Sequence, residues 1–209
     1  MSAKKQPIQQ GLISGILLAG GESRRMGRVN KALLRVRGRT IIERSAGILL
    51  QLFPEVLVIT NSPDDFSFLG LPMHGDIYPG RGSLGGLYTG LTLCTGQWGF
   101  LAACDMPFLN GAVIEHLTDL RGEADVIIPR LPGGLEPLHA VYAKECLPYI
   151  RDLLASGDLK IIDFLKRVRV REVSEEELYP YDPEFRFIMN VNTPKDLEEA
   201  QLIAQEIEP

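Results

Sequence analysis

The sequence predicts an α/β fold, a three-layer α/β/α sandwich built around a mainly parallel sheet. Short apolar runs alternate along the chain with segments of helical periodicity, which is the pattern of a parallel sheet covered by helices. The 209 residues are 45% hydrophobic and 23% charged, as expected for one sizeable globular domain. We expect the mostly polar residues 1–11 to form a flexible N-terminal tail and residues 12–209 to form a single domain.

The strands are predicted from short, continuous apolar runs that end at turn-forming residues. The first run, Ile13–Ala19, ends at Gly20 and Gly21. Later runs have the same character and are separated by helical segments. They predict strands at Val56–Thr60, Leu71–Gly75, Gly99–Ala103, Ala124–Ile128, Leu138–Ala143 and Phe185–Met189.

The helices are predicted from apolar periodicity and from their end signals. Thr40 and Glu43 have the spacing of a capping box and mark the start of the first helix. This helix continues to Leu52, because Pro54 cannot extend it. The last predicted helix lies in the Leu197–Ile207 region, after Thr193 as N-cap and Pro194 in the first turn. The segment Pro129–Pro137 is predicted to be a loop. The remaining predicted helices are Leu84–Leu93, Gly111–Leu120, Glu145–Ala155 and Leu159–Lys166.

Charge and hydropathy narrow the function classes. The chain has a net charge of -5 and a pI near 5.3, which argues against a protein dedicated to nucleic acid or to a membrane surface. The sequence contains no apolar run of membrane-spanning length and no signal-type apolar core. We expect a cytoplasmic protein with no nucleic-acid or membrane partner.

Cysteine and histidine usage indicates no metal cluster. The three cysteines are odd in number and widely spaced, which excludes a disulfide framework and a C-x-x-C pair. We expect each to be a small apolar core residue in a reducing cytoplasm. The three histidines are dispersed, and we expect a hydrogen-bonded structural role for His139. The residues concerned are Cys94, Cys104, Cys146, His74, His116 and His139.

A basic, glycine-rich loop follows the first strand and is the most informative local feature. Glycines at the carboxyl end of a strand let the backbone approach a ligand and present N–H groups to an anion. Positive charge concentrated in one loop of an acidic protein indicates a small, highly charged ligand, and a nucleoside triphosphate fits. The four cationic residues are Arg24, Arg25, Arg28 and Lys31.

Polar residues follow several of the predicted strands, at the sheet edge where α/β proteins bind ligands. Asp105 follows a mostly apolar run and precedes Met106-Pro107. A carboxylate there is costly without a partner, and Mg²⁺ prefers one or two carboxylates plus substrate phosphates. We predict that Asp105 binds Mg²⁺, the alternative being a helix cap. For Asp76, nucleotide binding and a plain turn role both stay open.

A second glycine pattern supports a competing hypothesis. Residues 80–85 have the literal form G-x-G-x-x-G, and Asp105 lies at about the expected ~20 residues beyond it. This is the pattern of a dinucleotide-binding oxidoreductase. However, the pattern should follow a strand directly, whereas Pro79 breaks the strand first.

The ordered set of motifs resembles the molybdenum cofactor guanylyltransferases, over a span from about Ile13 to the last helix. No piece is decisive alone, but the set is specific. It comprises Leu18-Ala19-Gly20-Gly21-x-Ser23-Arg24-Arg25-Met26-Gly27 with Lys31, then Asp76, Gly85-Gly86-Leu87, Cys104-Asp105-Met106-Pro107-Phe108, Glu136-Pro137-Leu138 and Asn190-Val191-Asn192-Thr193-Pro194.

This resemblance implies a Rossmann-like nucleotidyltransferase sheet and transfer of GMP from GTP to the terminal phosphate of molybdopterin, with release of pyrophosphate. It places Asn190 and Asn192 toward the pterin, and it implies transient contact with molybdenum-insertion proteins and apo-molybdoenzymes. The expected catalytic residues are Arg25, Lys31 and the Mg²⁺ ligand Asp105. The expected nucleotide-binding residues are Leu18, Ala19, Gly20, Lys31, Asp76 and Asp105.

Two alternatives to guanylyl transfer stay open. Asn30-Lys31 stands where the guanylyltransferases commonly have Asp-Lys and is similar to the cytidylyltransferase relatives, which use CTP, whereas Leu18-Ala19-Gly20-Gly21 favours guanine. A non-catalytic carrier of the cofactor is the second alternative. A pure carrier needs neither Mg²⁺ nor a triphosphate pocket, so the basic loop and Asp105 argue against it.

Overall fold

The structure is a computed structural model and describes residues 13–20 and 30–207. The predicted tail at residues 1–11 and the cationic residues Arg24, Arg25 and Arg28 lie outside the described residues. Ten strands are found in the described ranges. They are β1 (Ile13–Leu18), β2 (Arg35–Val36), β3 (Arg39–Thr40), β4 (Val56–Ile59), β5 (Met73–His74), β6 (Trp98–Ala103), β7 (Val126–Leu131), β8 (Gly134–Leu135), β9 (His139–Ala143) and β10 (Val170–Ser174).

The main sheet has the order β10-β7-β9-β6-β1-β4-β5, with β8 paired to β7. The segment β6-β1-β4-β5 is parallel throughout, and β7 is parallel to β10. Strand β9 runs antiparallel to both of its neighbours. Because β1, β4, β5 and β6 are parallel neighbours, their carboxyl ends meet at one edge of the sheet. Strands β2 and β3 form a separate hairpin.

Helices cover both faces of the sheet, which confirms the predicted three-layer sandwich. Helices α1 and α3 pack on one face with Leu17, and α2, α4 and α5 pack on the other with Ile16. These successive residues of β1 point to opposite faces, as the pleat requires. The helices are α1 (Ile41–Leu52), α2 (Gly82–Leu93), α3 (Gly111–Asp119), α4 (Leu147–Ser156), α5 (Ile161–Phe164), α6 (Glu175–Leu178) and α7 (Pro194–Ile207).

The capping box predicted at the start of α1 is present. Glu43 N donates to Thr40 Oγ1 at 3.3 Å, and Thr40 N donates to Glu43 Oε2 at 2.7 Å. The helix ends at Leu52 with Phe53 as its C-cap. Both ends therefore lie where the sequence predicts them.

Glycines let α2 lie unusually close to β1. A Cβ at Gly90 would come within 2.4 Å of the Ile16 side chain, and one at Gly86 within 2.9 Å of Leu18. Since Ile16 is fully buried, it cannot move aside. The close approach fixes the N-terminal half of α2 beside the carboxyl end of β1.

Helix α7 and the β2–β3 hairpin enclose a third, smaller core. Val36, Ile41 and Phe108 pack there with Val191, Ala200 and Ala204. The turn before α7 is thus anchored to the rest of the fold through buried Val191. No helix in the described part of the chain is long and apolar enough to cross a membrane.

Two predicted elements differ in the structure. The predicted strand Phe185–Met189 is wrong, because Arg186–Ile188 forms a 3₁₀ helix after Phe185, which has a φ of 50°. The predicted loop Pro129–Pro137 is partly strand, because β7 continues to Leu131 and turns back into β8. The first prediction fails because Phe185 has a left-handed backbone conformation, which ends any extended strand before Arg186. The second fails because β7 and β8 pair as a hairpin, although the Pro- and Gly-rich composition of residues 129–137 indicates a loop.

Candidate functional site

A cavity of about 820 Å³ opens at the carboxyl ends of the four parallel strands. The residues that follow β1, β4, β5 and β6 all reach it. This is where ligands bind in open α/β sheets. The structure brings together in it the six residues predicted to bind nucleotide, namely Leu18, Ala19, Gly20, Lys31, Asp76 and Asp105.

The end of β1 forms the floor of the cavity. Ala19 N donates to Ile59 O at 2.9 Å, and Leu18 O accepts from Cys104 N at 3.0 Å, so the sheet pairing continues past the strand ends. A Cβ at Gly20 would meet no atom of the described residues within 4 Å. Among residues 13–20 and 30–207, none therefore blocks the approach of a ligand to the Gly20 backbone from this side.

Lys31 enters the cavity from the start of a 3₁₀ helix, Lys31–Leu33. Asn30 caps this helix, since its Oδ1 accepts from Ala32 N at 3.2 Å. Asn and Asp are nearly equal as N-caps, so this structural role explains either residue at position 30. The Lys31 ammonium donates to Asn192 Oδ1 at 2.8 Å.

Asp105 lies on a loop that leaves β6 and is held in place by three backbone contacts. Ser45 Oγ donates to Met106 O at 2.8 Å, and Arg44 Nε donates to Pro107 O at 3.0 Å. Val191 N donates to Asp105 O at 2.9 Å. These bonds come from α1 and from the turn before α7, so the loop is fixed from both sides.

Burial raises the pKa of the Asp105 carboxyl above its ordinary value, and the nearby Lys31 ammonium acts in the opposite direction. A half-buried carboxylate beside one cation is suited to an ion that takes its remaining ligands from substrate. The described residues contain no group of three or more His, Cys, Asp or Glu side chains able to hold a metal. The donor set fits Mg²⁺ held by one carboxylate, phosphate oxygens and water.

Asp76 and Asn61 both line the cavity and form a mutual pair. Asp76 N donates to Asn61 Oδ1 at 2.9 Å, and Asn61 Nδ2 donates to Asp76 Oδ2 at 2.8 Å. The next residue is pinned to α2, since Ile77 N donates to Thr89 Oγ1 at 2.9 Å. Asn61 is a site residue missing from the predicted set, and its position directly after β4 is the signal that identifies it.

The two asparagines predicted on the pterin side differ in placement. Asn192 does not line the cavity itself but accepts a hydrogen bond from Lys31, which does. The side chain of Asn190 is used within its own turn, where Nδ2 donates to Ile188 O at 3.0 Å. Of the three predicted catalytic residues, Lys31 and Asp105 lie together in the cavity, and Arg25 lies outside the described residues.

The glycine pattern at residues 80–85 does not directly follow a strand. Strand β5 ends at His74, and a turn through Pro79 separates it from α2. Gly80 and Gly82 have φ values of 75° and 57° and line the cavity. The pattern thus supplies left-handed turn positions at the start of α2, not a strand-to-helix dinucleotide loop.

Cys104 and His139 belong to residue types that often take part in catalysis, but neither is placed here to act as a nucleophile or a base. Burial raises the pKa of the Cys104 thiol to about 12, so it stays protonated at neutral pH. His139 lies in the core between Phe100 and Phe187, with ring centroids 5.0 and 4.7 Å away. The expected hydrogen-bonded role is wrong within the described structure, because neither ring nitrogen of His139 has a partner there.

Comparison with known proteins agrees with this geometry. Residues 15–172 match the model of the MobA-like NTP transferase domain. The molybdenum cofactor guanylyltransferase of Desulfosudis oleivorans is 37% identical over 190 residues, which cover 90% of this chain and 94% of that protein. The crystal structure of molybdopterin-guanine dinucleotide biosynthesis protein A from Archaeoglobus fulgidus superposes with a TM-score of 0.81 and 27% identity, covering 93% of this chain and all of that one. The chain belongs to the family of MobA-like NTP transferases.

Proposed function

We propose that this protein transfers GMP from GTP to the terminal phosphate of molybdopterin, in a Mg²⁺-dependent reaction that releases pyrophosphate. The observation that carries the proposal is the joint placement of Lys31 and Asp105 in a nucleotide-sized cavity at the sheet edge. The family membership, and the guanylyltransferase named above as a relative, support the same activity.

The chemistry needs little covalent participation by the protein. A terminal phosphate oxygen of molybdopterin attacks the α-phosphorus of GTP, and the bond between that phosphorus and the α–β bridging oxygen breaks as pyrophosphate leaves. The attacking phosphate is already anionic at neutral pH, so no general base is required. Positioning and charge stabilisation then lower most of the barrier.

The predicted residues divide three tasks in this proposal: charge neutralisation, metal binding and nucleoside binding. Lys31 neutralises charge on the triphosphate, and Arg25 does the same from the glycine-rich loop. Asp105 holds Mg²⁺, which when bound neutralises charge on the phosphates. The backbone at Leu18–Gly20 and the Asn61–Asp76 pair hold the nucleoside part of GTP between β1 and β4.

Thermal stability with different nucleotides tests the proposal. A ligand at a hundredfold over its dissociation constant adds ~2.7 kcal/mol to the folded state, which raises the unfolding midpoint by roughly 5 to 10 °C for a chain of this size. We expect such a shift with GTP plus Mg²⁺. CTP and ATP serve as triphosphate controls, and NAD tests the glycine pattern at 80–85.

Each alternative has its own result in this assay. A shift with CTP and not GTP would assign the protein to the cytidylyl relatives, and a shift with NAD alone would contradict nucleotidyl transfer. GTP binding without pyrophosphate release in the presence of molybdopterin would favour a carrier.

Lys31→Ala is expected to weaken GTP binding or turnover by about tenfold to a hundredfold, since it removes a charge-assisted contact to phosphate. Steady-state kinetics with varied GTP measures the effect. Lys195→Ala, an exposed lysine in the first turn of α7, is the matched control. Unchanged kinetics for Lys31→Ala would place Lys31 on a solvated face with no catalytic task.

A further inference from the structure

The turn formed by residues 190–193 contacts both residues that carry the charged groups of the proposed site, the backbone of Asp105 and the side chain of Lys31. Val191 N donates to the backbone oxygen of Asp105 at 2.9 Å. Asn192 Oδ1 accepts from the Lys31 ammonium at 2.8 Å. The turn therefore links the carboxylate-bearing loop to the lysine that faces the triphosphate.

Asp196, in the first turn of α7, holds this turn in place. Its Oδ2 accepts from Asn192 N and from Thr193 N, both at 2.8 Å. The bond from the Asn192 backbone is the main reason that the pKa of the Asp196 carboxyl lies below its ordinary value. The ionised Asp196 carboxylate thus accepts a hydrogen bond from the backbone of Asn192, the residue whose side chain bonds to Lys31.

We propose that Asp196 is a positioning residue for GMP transfer, which acts by fixing Asn192 so that Asn192 holds the Lys31 ammonium at the triphosphate position. The inference rests on the proposed function and deepens it. It gives the residue 190–193 turn a task on the GTP side of the site, in addition to the pterin side implied by the family resemblance.

The properties of a lysine side chain explain why holding Lys31 in place would favour GTP binding. An ammonium group has three donors, so one bond to Asn192 leaves two donors for phosphate oxygens. A free lysine side chain must give up rotamer freedom when it binds, and a lysine that is already held gives up less. Asn192 thereby prepares Lys31 for GTP before GTP arrives.

A purely structural role for Asp196 is the competing explanation. Asp196 N donates to Thr193 Oγ1 at 3.2 Å, so the two residues form a reciprocal cap at the start of α7. Thr193→Ala removes the cap hydroxyl and leaves both bonds from the turn backbone to Asp196. It is the matched control, because it weakens the helix without releasing Asn192.

The test is the dissociation constant for GTP with Mg²⁺, measured by titration calorimetry without molybdopterin. We expect Asp196→Ala and Asn192→Ala each to bind GTP about tenfold more weakly, the loss typical of one charge-assisted contact. The double variant should bind no more weakly than either single variant, because both changes break one linkage. Thr193→Ala should lower the unfolding midpoint and keep wild-type affinity.

Asp196→Asn provides a second variant if Asp196→Ala does not fold. It keeps an acceptor oxygen for the turn, so its GTP affinity should lie between those of wild type and Asn192→Ala. In turnover, the substitutions at 196 should raise KM for GTP and leave KM for molybdopterin unchanged. A change in KM for molybdopterin alone would overturn the inference and return the turn to the pterin side.

Failure of the inference and failure of the proposed function give different results. If the wild-type protein releases pyrophosphate and the substitutions at 196 match wild type or Thr193→Ala in GTP affinity, only the positioning role is wrong. If the wild-type protein releases no pyrophosphate from GTP and molybdopterin, the proposed function is wrong, whatever the affinities are.

Discussion

Asp105→Ala is expected to lower kcat/KM for GMP transfer at least about a thousandfold, which is ~4 kcal/mol of transition-state stabilisation. The variant should fold normally and melt at the same temperature as wild type or higher. Burial raises the pKa of this carboxyl, which means that the fold disfavours its ionised form. At neutral pH the substitution therefore removes an unfavourable buried charge.

Pyrophosphate release and thermal unfolding, measured on the same preparation, check both parts of this expectation. Asp119→Ala, at the exposed end of α3, is the control and should change neither quantity appreciably. A folded Asp105→Ala protein with near-normal turnover would refute the metal-binding assignment. A large loss of stability would instead show that Asp105 acts as a structural residue.

His139→Leu is expected to reduce the loss in the free energy of unfolding that occurs as the pH is lowered below about 6.5. Burial lowers the pKa of His139 from its ordinary value of 6.5 to about 3, so between these pH values the unfolded chain binds a proton that the folded chain does not. His139 therefore does not lower the free energy of unfolding above about pH 6.5. Below that pH it lowers the free energy of unfolding by up to about 1.4 kcal/mol per pH unit. Leucine cannot bind that proton, and it leaves no unpaired ring nitrogen.

Denaturant unfolding at pH 7.5 and pH 5.0 measures the difference directly. The variant should gain about 2 kcal/mol relative to wild type between the two conditions, from roughly 1.5 pH units of linkage. His74→Gln, which changes a histidine on β5 outside the core, is the control for general effects of losing an imidazole. An identical difference at both pH values would show that His139 is solvated or hydrogen-bonded in solution.

Local sequence signals predict the elements whose structure is locally determined. The capping box Thr40/Glu43 marks the start of α1 correctly, and apolar runs identify the central strands. Strand β10 goes unpredicted because it is an edge strand in which only Val173 is fully buried. Phe185–Met189 looks like a strand, but tertiary packing inserts Phe187 into the core and overrides the extended preference.

Some features of the candidate site can likewise be predicted from the sequence, and others cannot. Because parallel strands share an edge, strand topology predicts that Lys31, Asp76 and Asp105 converge. The pairings between individual side chains do not follow from topology. The bond between Asn61 and Asp76, like the one between Lys31 and Asn192, depends on loop geometry that has no periodic signal in the sequence. His139 likewise looks like a polar residue at a strand end, and only the packing of β9 shows it to be core.

The hydrogen bond between Lys31 and Asn192 joins positions 161 residues apart, and this separation orders events during synthesis. At about 5–20 residues per second, a ribosome adds Asn192 roughly 8 to 32 s after Lys31. The parallel strands β1, β4 and β6 are all complete well before that time. The parallel strands that border the cavity are thus synthesised before the residue that bonds to Lys31, so the Lys31–Asn192 hydrogen bond is among the last contacts of the candidate site to form on a nascent chain.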